Sequence, residues 1–103
     1  MNATVKILRN EQNQPSGKLA DAELHFSGGE LDGLKLIGFG VWARQDGKRH
    51  VTFPARQFMV DGERRSFSLL RAVENPAAQV RLRDFVMQAY QAAVQEIEGV
   101  ATS

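Results

Sequence analysis

The chain has no cysteine. That excludes disulfides, thiolate nucleophiles and thiolate metal sites, and it fits a reducing compartment. With two histidines, His25 and His50 on separate segments, imidazole chemistry has little to work with. His25, Asp21 and Glu23 offer at most an exposed acidic edge with no fourth metal ligand specified. No apolar stretch approaches a membrane span. The N-terminal residues Asn2, Thr4, Lys6 and Arg9 break any signal-type apolar region, so a cytoplasmic protein with no membrane partner is expected. There are three prolines, and each marks a boundary: Pro15 in a polar loop, Pro54 at a strand end, and Pro76 at a helix start.

What is present is a folded-protein composition. In 103 residues, 43% are hydrophobic and 24% charged, which suits one domain with a real core but little room for a deep ligand cavity. A binding surface is expected instead. Charge is unevenly placed. From Trp42 to Arg83 there are nine Lys or Arg against four Asp or Glu, a surplus of five, while the whole chain is +1. The remainder is therefore net acidic, and a polyanion would be drawn to one part of the surface.

Periodicity gives the elements. In 18-KLADAELHF-26, Ala20, Ala22, Leu24 and Phe26 alternate with Asp21, Glu23 and His25, the pattern of a half-exposed strand. The segment 4-TVKILR-9 reads as a strand before the loop 10–17. The nearly continuous apolar run 34-LKLIGFGVWA-43 reads as a central strand, with Gly38 and Gly40 marking close packing on its face. Strict alternation puts Leu36 and Trp42 on one face, under the helix, and leaves Phe39 and Val41 on the other. Gly38-Phe39-Gly40 lacks the remaining residues of a phosphate loop. Asp46-Gly47 is a hairpin signal joining the central strand to 48-KRHVTF-53, and Asp61-Gly62 joins two basic, β-favouring runs, 47–58 and 63–70, which are expected to bury Val51, Phe53, Phe67 and Leu69. Phe58 is expected in a loop beside Arg56, as the candidate exposed aromatic.

The period changes at Asn75-Pro76, a cap followed by a proline suited to the first helical position. Leu82, Phe85, Val86, Ala89, Ala93 and Ile97 then recur at three- and four-residue intervals, predicting one amphipathic helix that stops near Gly99, with 99–103 a tail. Residues 1–103 thus read as a single α+β domain: an antiparallel meander of about five strands followed by one long C-terminal helix packed on the sheet. One helix covers one face, so Phe39 and Val41 on the other predict a homodimer.

Several of these residues together resemble the stage V sporulation protein G (SpoVG) family of putative septation regulators. They are Gly17, Lys18 and Leu19 entering an alternating strand; Phe53-Pro54-Ala55-Arg56; Asp61-Gly62-Glu63; and 81-RLRDFVMQAY-90. The likeness runs from about residue 3 to residue 93. It implies a small homodimeric sheet-plus-helix protein of the bacterial cytoplasm that binds DNA or RNA and acts in gene regulation.

The candidate nucleic-acid contacts are Arg44, Lys48, Arg49, Arg56, Arg64, Arg65 and Arg81. Cations of this kind displace counterions from phosphates, and a helix start near Arg81 favours anions. Alternation sets Lys48, His50 and Thr52 opposite Val51 and Phe53, and Arg64, Ser66 and Ser68 opposite Phe67 and Leu69, so neighbouring strands are expected to share one positive face. The competing reading is of solubilising arginines paired with Asp46, Asp61, Glu63 and Asp84. No catalytic residue, metal site or cofactor is expected, since Ser66 and Ser68 have no elbow motif and no carboxylates are paired beside an apolar pocket. The alternative function is a non-catalytic protein-interaction module acting through a sheet edge or apolar face.

Overall fold

The computed structural model describes residues 1–12 and 15–102, with side chains as far as Gln95. The two alternating segments form β1 (Asn2–Arg9) and β2 (Lys18–Ser27), paired antiparallel from Asn2 opposite Ser27 to Arg9 opposite Ala20. The apolar run forms β3 (Lys35–Ala43), and β4 (Arg49–Thr52) follows the Asp46-Gly47 turn. The sheet order is β1-β2-β3-β4, so β3 is an inner strand as its composition predicts. Helix α1 (Ala77–Thr102) starts where Asn75 Oδ1 accepts the N–H of Ala77 at 2.9 Å, and it runs through Gly99 instead of stopping there.

Helix α1 touches both edge strands, β1 and β4, and so crosses the sheet. It buries Val86 and Tyr90 against Ala20, Ala22, Leu24, Phe39, Val41 and Val51. Each large apolar side chain enclosed this way contributes about 1.5–3 kcal/mol. Small alanines on β2 let the helix approach, and Phe39 fills the centre, 5.6 Å from the Phe53 ring in an edge-on contact at 75°.

Phe39 and Val41 are therefore the core, not the uncovered residues that strict alternation makes them. The cause is a β-bulge. Ala22 faces Phe39 but Leu24 faces Leu36, so β3 carries an extra residue between these pairs and the side-chain parity inverts. Leu36 and Phe39 share the helix side, while Gly40 and Trp42 lie on the other. Gly38 sits at the bulge with φ +107°, and a Cβ there would stand 3.0 Å from Pro54 Cβ; glycine is required on both counts. The sequence-based placement of Trp42 under the helix is overturned, as is the argument for a second copy covering Phe39 and Val41.

The remaining strands do not join this sheet. Strands β5 (Ala55–Val60) and β6 (Glu63–Ser68) form a separate two-stranded sheet, making six strands in two sheets where the sequence reading has about five in one meander. Pro54 is the divider. It is buried against Gly38, has no N–H to extend the β4 ladder, and turns the chain away. Asp61 (φ +51°) and Gly62 (φ +79°) make the two-residue turn between β5 and β6, with Val60 opposite Glu63. The Leu69 N–H donates to the Pro54 carbonyl at 2.9 Å and closes the hairpin at its base. No residue of either strand is buried. The arm and the long helix give a radius of gyration of 15.5 Å, against ~13 Å for a compact chain of this length.

Candidate nucleic-acid interface

The hairpin contains the same tripeptide pattern twice, Arg56-Gln57-Phe58 on β5 and Arg65-Ser66-Phe67 on β6. Period-two geometry puts each arginine on the face of its own phenylalanine. The antiparallel register then sets Arg56 opposite Phe67 and Phe58 opposite Arg65. The result is a block in which two guanidinium groups and two rings alternate across the strands, with cross-strand neighbours about 5 Å apart at Cβ. Phe58 lies in β5 and not in a loop, and at 40% it is exposed as expected, whereas Phe67, expected inside, is 47% exposed. Leu69, also expected inside, is exposed; Val51 is buried and Phe53 partly so. Arg71, just beyond β6, places its guanidinium carbon 4.8 Å from the Phe67 ring centroid.

This face contains one acidic side chain, Glu63, whose Oε2 is 3.5 Å from Arg65 Nη2. Such an exposed pair yields readily to a phosphate. Among the described residues Arg56 has no ion pair. The other hairpin face carries Ala55, Gln57, Met59, Arg64, Ser66 and Ser68, so Arg64 and Arg65 point to opposite sides.

The other predicted contacts are elsewhere. Arg44 and Lys48 flank the β3–β4 turn, where the Arg44 N–H donates to the Lys48 carbonyl at 2.7 Å and Arg44 Nε lies 3.9 Å from Asp46. Arg49 is on the helix side of β4, its guanidinium carbon 5.3 Å from the Tyr90 ring centroid. Arg81 is exposed on α1. Strands β4 and β6 belong to different sheets, so the expected positive face shared between them does not form. The structure brings together Arg56 and Arg65, and adds Arg71, which sequence reasoning missed. The repeated Arg-x-Phe spacing signals the hairpin face; nothing in the sequence signals Arg71, whose stacking depends on the path after β6.

Two surface hollows, about 130 Å³ beside Phe53, Leu70, Arg71 and Leu82, and about 380 Å³ beside Ala3, Val5, Phe85 and Gln88, contain one titratable side chain between them, Arg71. On the sheet face away from α1, Glu23 Oε1 is 2.9 Å from His25 Nε2 and 3.4 Å from Lys35 Nζ. The His25 hydrogen bond, helped by the Lys35 ammonium, holds the Glu23 carboxyl below the usual carboxylate range against the opposing effect of desolvation. The Glu23 group is an ion-paired surface cluster, and His50 lies two strands away beside Trp42.

Compared with known protein families, curated proteins and solved structures, the chain matches none. Among the described residues no helix is long and apolar enough to cross a membrane.

Proposed function

We propose that this chain is a non-catalytic, SpoVG-like regulatory protein of the bacterial cytoplasm that binds nucleic acid as a homodimer through the Arg-Phe face of the β5–β6 hairpin. The observation that carries the reading is the doubled Arg-x-Phe pattern on an arm with no buried residue. Two phenylalanines left half-exposed contribute less to folding than buried ones, so their place beside three arginines needs another account. Guanidinium groups neutralise phosphates, and the rings between them offer faces to bases, the pairing of charge and stacking that binding of a nucleic-acid strand requires.

The test is an anisotropy titration with labelled single-stranded and duplex oligonucleotides at two salt concentrations. Three phosphate contacts from Arg56, Arg65 and Arg71 weaken binding about 20- to 40-fold when salt rises fourfold. Arg56→Glu combined with Arg65→Glu abolishes binding while leaving the thermal midpoint in place. Salt-independent binding, or full binding by the double variant, would discard the reading. One observation favours the interaction-module alternative: Met59 is 65% exposed and Leu69 60% exposed, and among the described residues neither outer edge of the hairpin pairs with another strand. That reading predicts a salt-insensitive protein complex broken by Met59→Glu.

A further inference from the structure

Trp42 stands, partly buried, on the sheet face that α1 leaves open. Its cross-strand partners are Lys18 on β2 and His50 on β4, and the neighbouring row on that face is Asp21, Gly40 and Thr52. The indole leans over Gly40, where a Cβ would lie 2.6 Å from Nε1 and 3.4 Å from Cδ1. Nε1–H donates to Thr52 Oγ1 at 3.0 Å. The ring is thus held by its polar edge and by the missing side chain beneath it. Its neighbours are a glycine, a threonine and charged or polar groups, not an apolar shell.

Cations flank it, with Asp21 and Asp46 paired to two of them. Lys18 Nζ lies 5.6 Å from the ring centroid and also pairs with Asp21. The Arg44–Lys48 hydrogen bond continues the β3–β4 ladder beyond Ala43 and Arg49, so alternation carries Arg44 and Lys48 to the side of Trp42 and His50.

We propose that Trp42 is a stacking subsite for an unpaired nucleobase, and that the ligand class is single-stranded nucleic acid with Lys18, Arg44 and Lys48 on its phosphates. The inference rests on the nucleic-acid reading of the hairpin and adds which form of nucleic acid is bound. A duplex keeps its base faces inside its own stack, whereas a single strand presents them to an aromatic ring. The Lys18 ammonium now over the partly buried ring makes the weaker of the two possible contacts. A base displaces it, and the freed ammonium turns to the adjoining phosphate.

Trp42 is the one tryptophan of the chain, so its emission reports this subsite directly. Titration with an oligothymidine of about a dozen nucleotides is expected to quench it saturably, with the midpoint found independently by anisotropy. A duplex of equal length, at saturation, leaves the emission unchanged. Trp42→Leu weakens single-strand binding about tenfold and leaves duplex binding as it was, and Trp42→Phe recovers most of the loss. Single-strand binding without quenching, equal quenching by the duplex, or unchanged affinity in a folded Trp42→Leu protein overturns the subsite and leaves the hairpin reading standing. Failure to bind either oligonucleotide overturns both. If Trp42→Leu does not fold, quenching of the unaltered protein decides.

Discussion

The four-stranded sheet and the β5–β6 hairpin are made from similar residues and treat them oppositely. In the sheet, Phe39, Val41 and Val51 are enclosed by α1, and the alternate positions carry Asp21 and Glu23 on β2, Gly40 and Trp42 on β3, and His50 and Thr52 on β4. In the hairpin, Phe58, Met59, Val60 and Phe67 are all exposed, on two faces, with arginines among them. An apolar side chain stabilises a fold only if something covers it, and the single helix is spent on the first sheet. The comparison therefore separates residues that hold the protein together from residues whose position calls for a partner.

The largest expected effect tests that separation directly. Phe39→Ala removes a ring that is 1% exposed and should cost about 3–5 kcal/mol in denaturant unfolding. Phe67→Ala, losing a half-exposed ring and its Arg71 contact, should cost less than about 1 kcal/mol. Similar losses at the two sites would show that the hairpin belongs to the folding core.

A smaller effect concerns which side of the sheet Trp42 occupies. The Cβ of Gly40→Ala would meet both the indole and Thr52 Oγ1, the latter at 3.0 Å. The indole can swing into solvent, so the cost is its hydrogen bond, about 1 kcal/mol, with a red shift of the tryptophan emission. A blue shift with severe destabilisation would return Trp42 to the core.

The smallest effect lies on the polar face. Because the folded-state pKa of Glu23 is lowered, its contribution is present above the ordinary carboxylate range and is lost as pH falls through the lowered value. Glu23→Gln should therefore show a slightly lower thermal midpoint than the parent at neutral pH, with the gap closing on acidification. A gap that widened in acid would contradict the His25 and Lys35 assignment.

Much of this fold was legible locally. The alternation of β2, the two Asp-Gly turns and the Asn75 cap depend on neighbours within a few residues, and each is where the sequence places it. The candidate site was less so. Of the seven predicted cations, Arg56 and Arg65 lie on the hairpin face, because period-two alternation and a two-residue turn fix their register. Arg49 stacks on Tyr90, a contact between β4 and α1 that no local pattern specifies. The faces of β3 were misassigned because one extra residue at Gly38 inverts everything after it, and a bulge is visible only against the partner strand.

By itself the sequence determined the element types, the turns, the concentration of positive charge between Trp42 and Arg83, and the Arg-x-Phe repeat, since these follow from side-chain chemistry and short-range backbone preference. Only the tertiary structure decided that Pro54 separates the hairpin from the sheet, that α1 covers Phe39 and Val41, and that Trp42 is left on the open side. Those outcomes depend on which surfaces meet across long sequence separations, and burial is a property of the meeting, not of either residue alone.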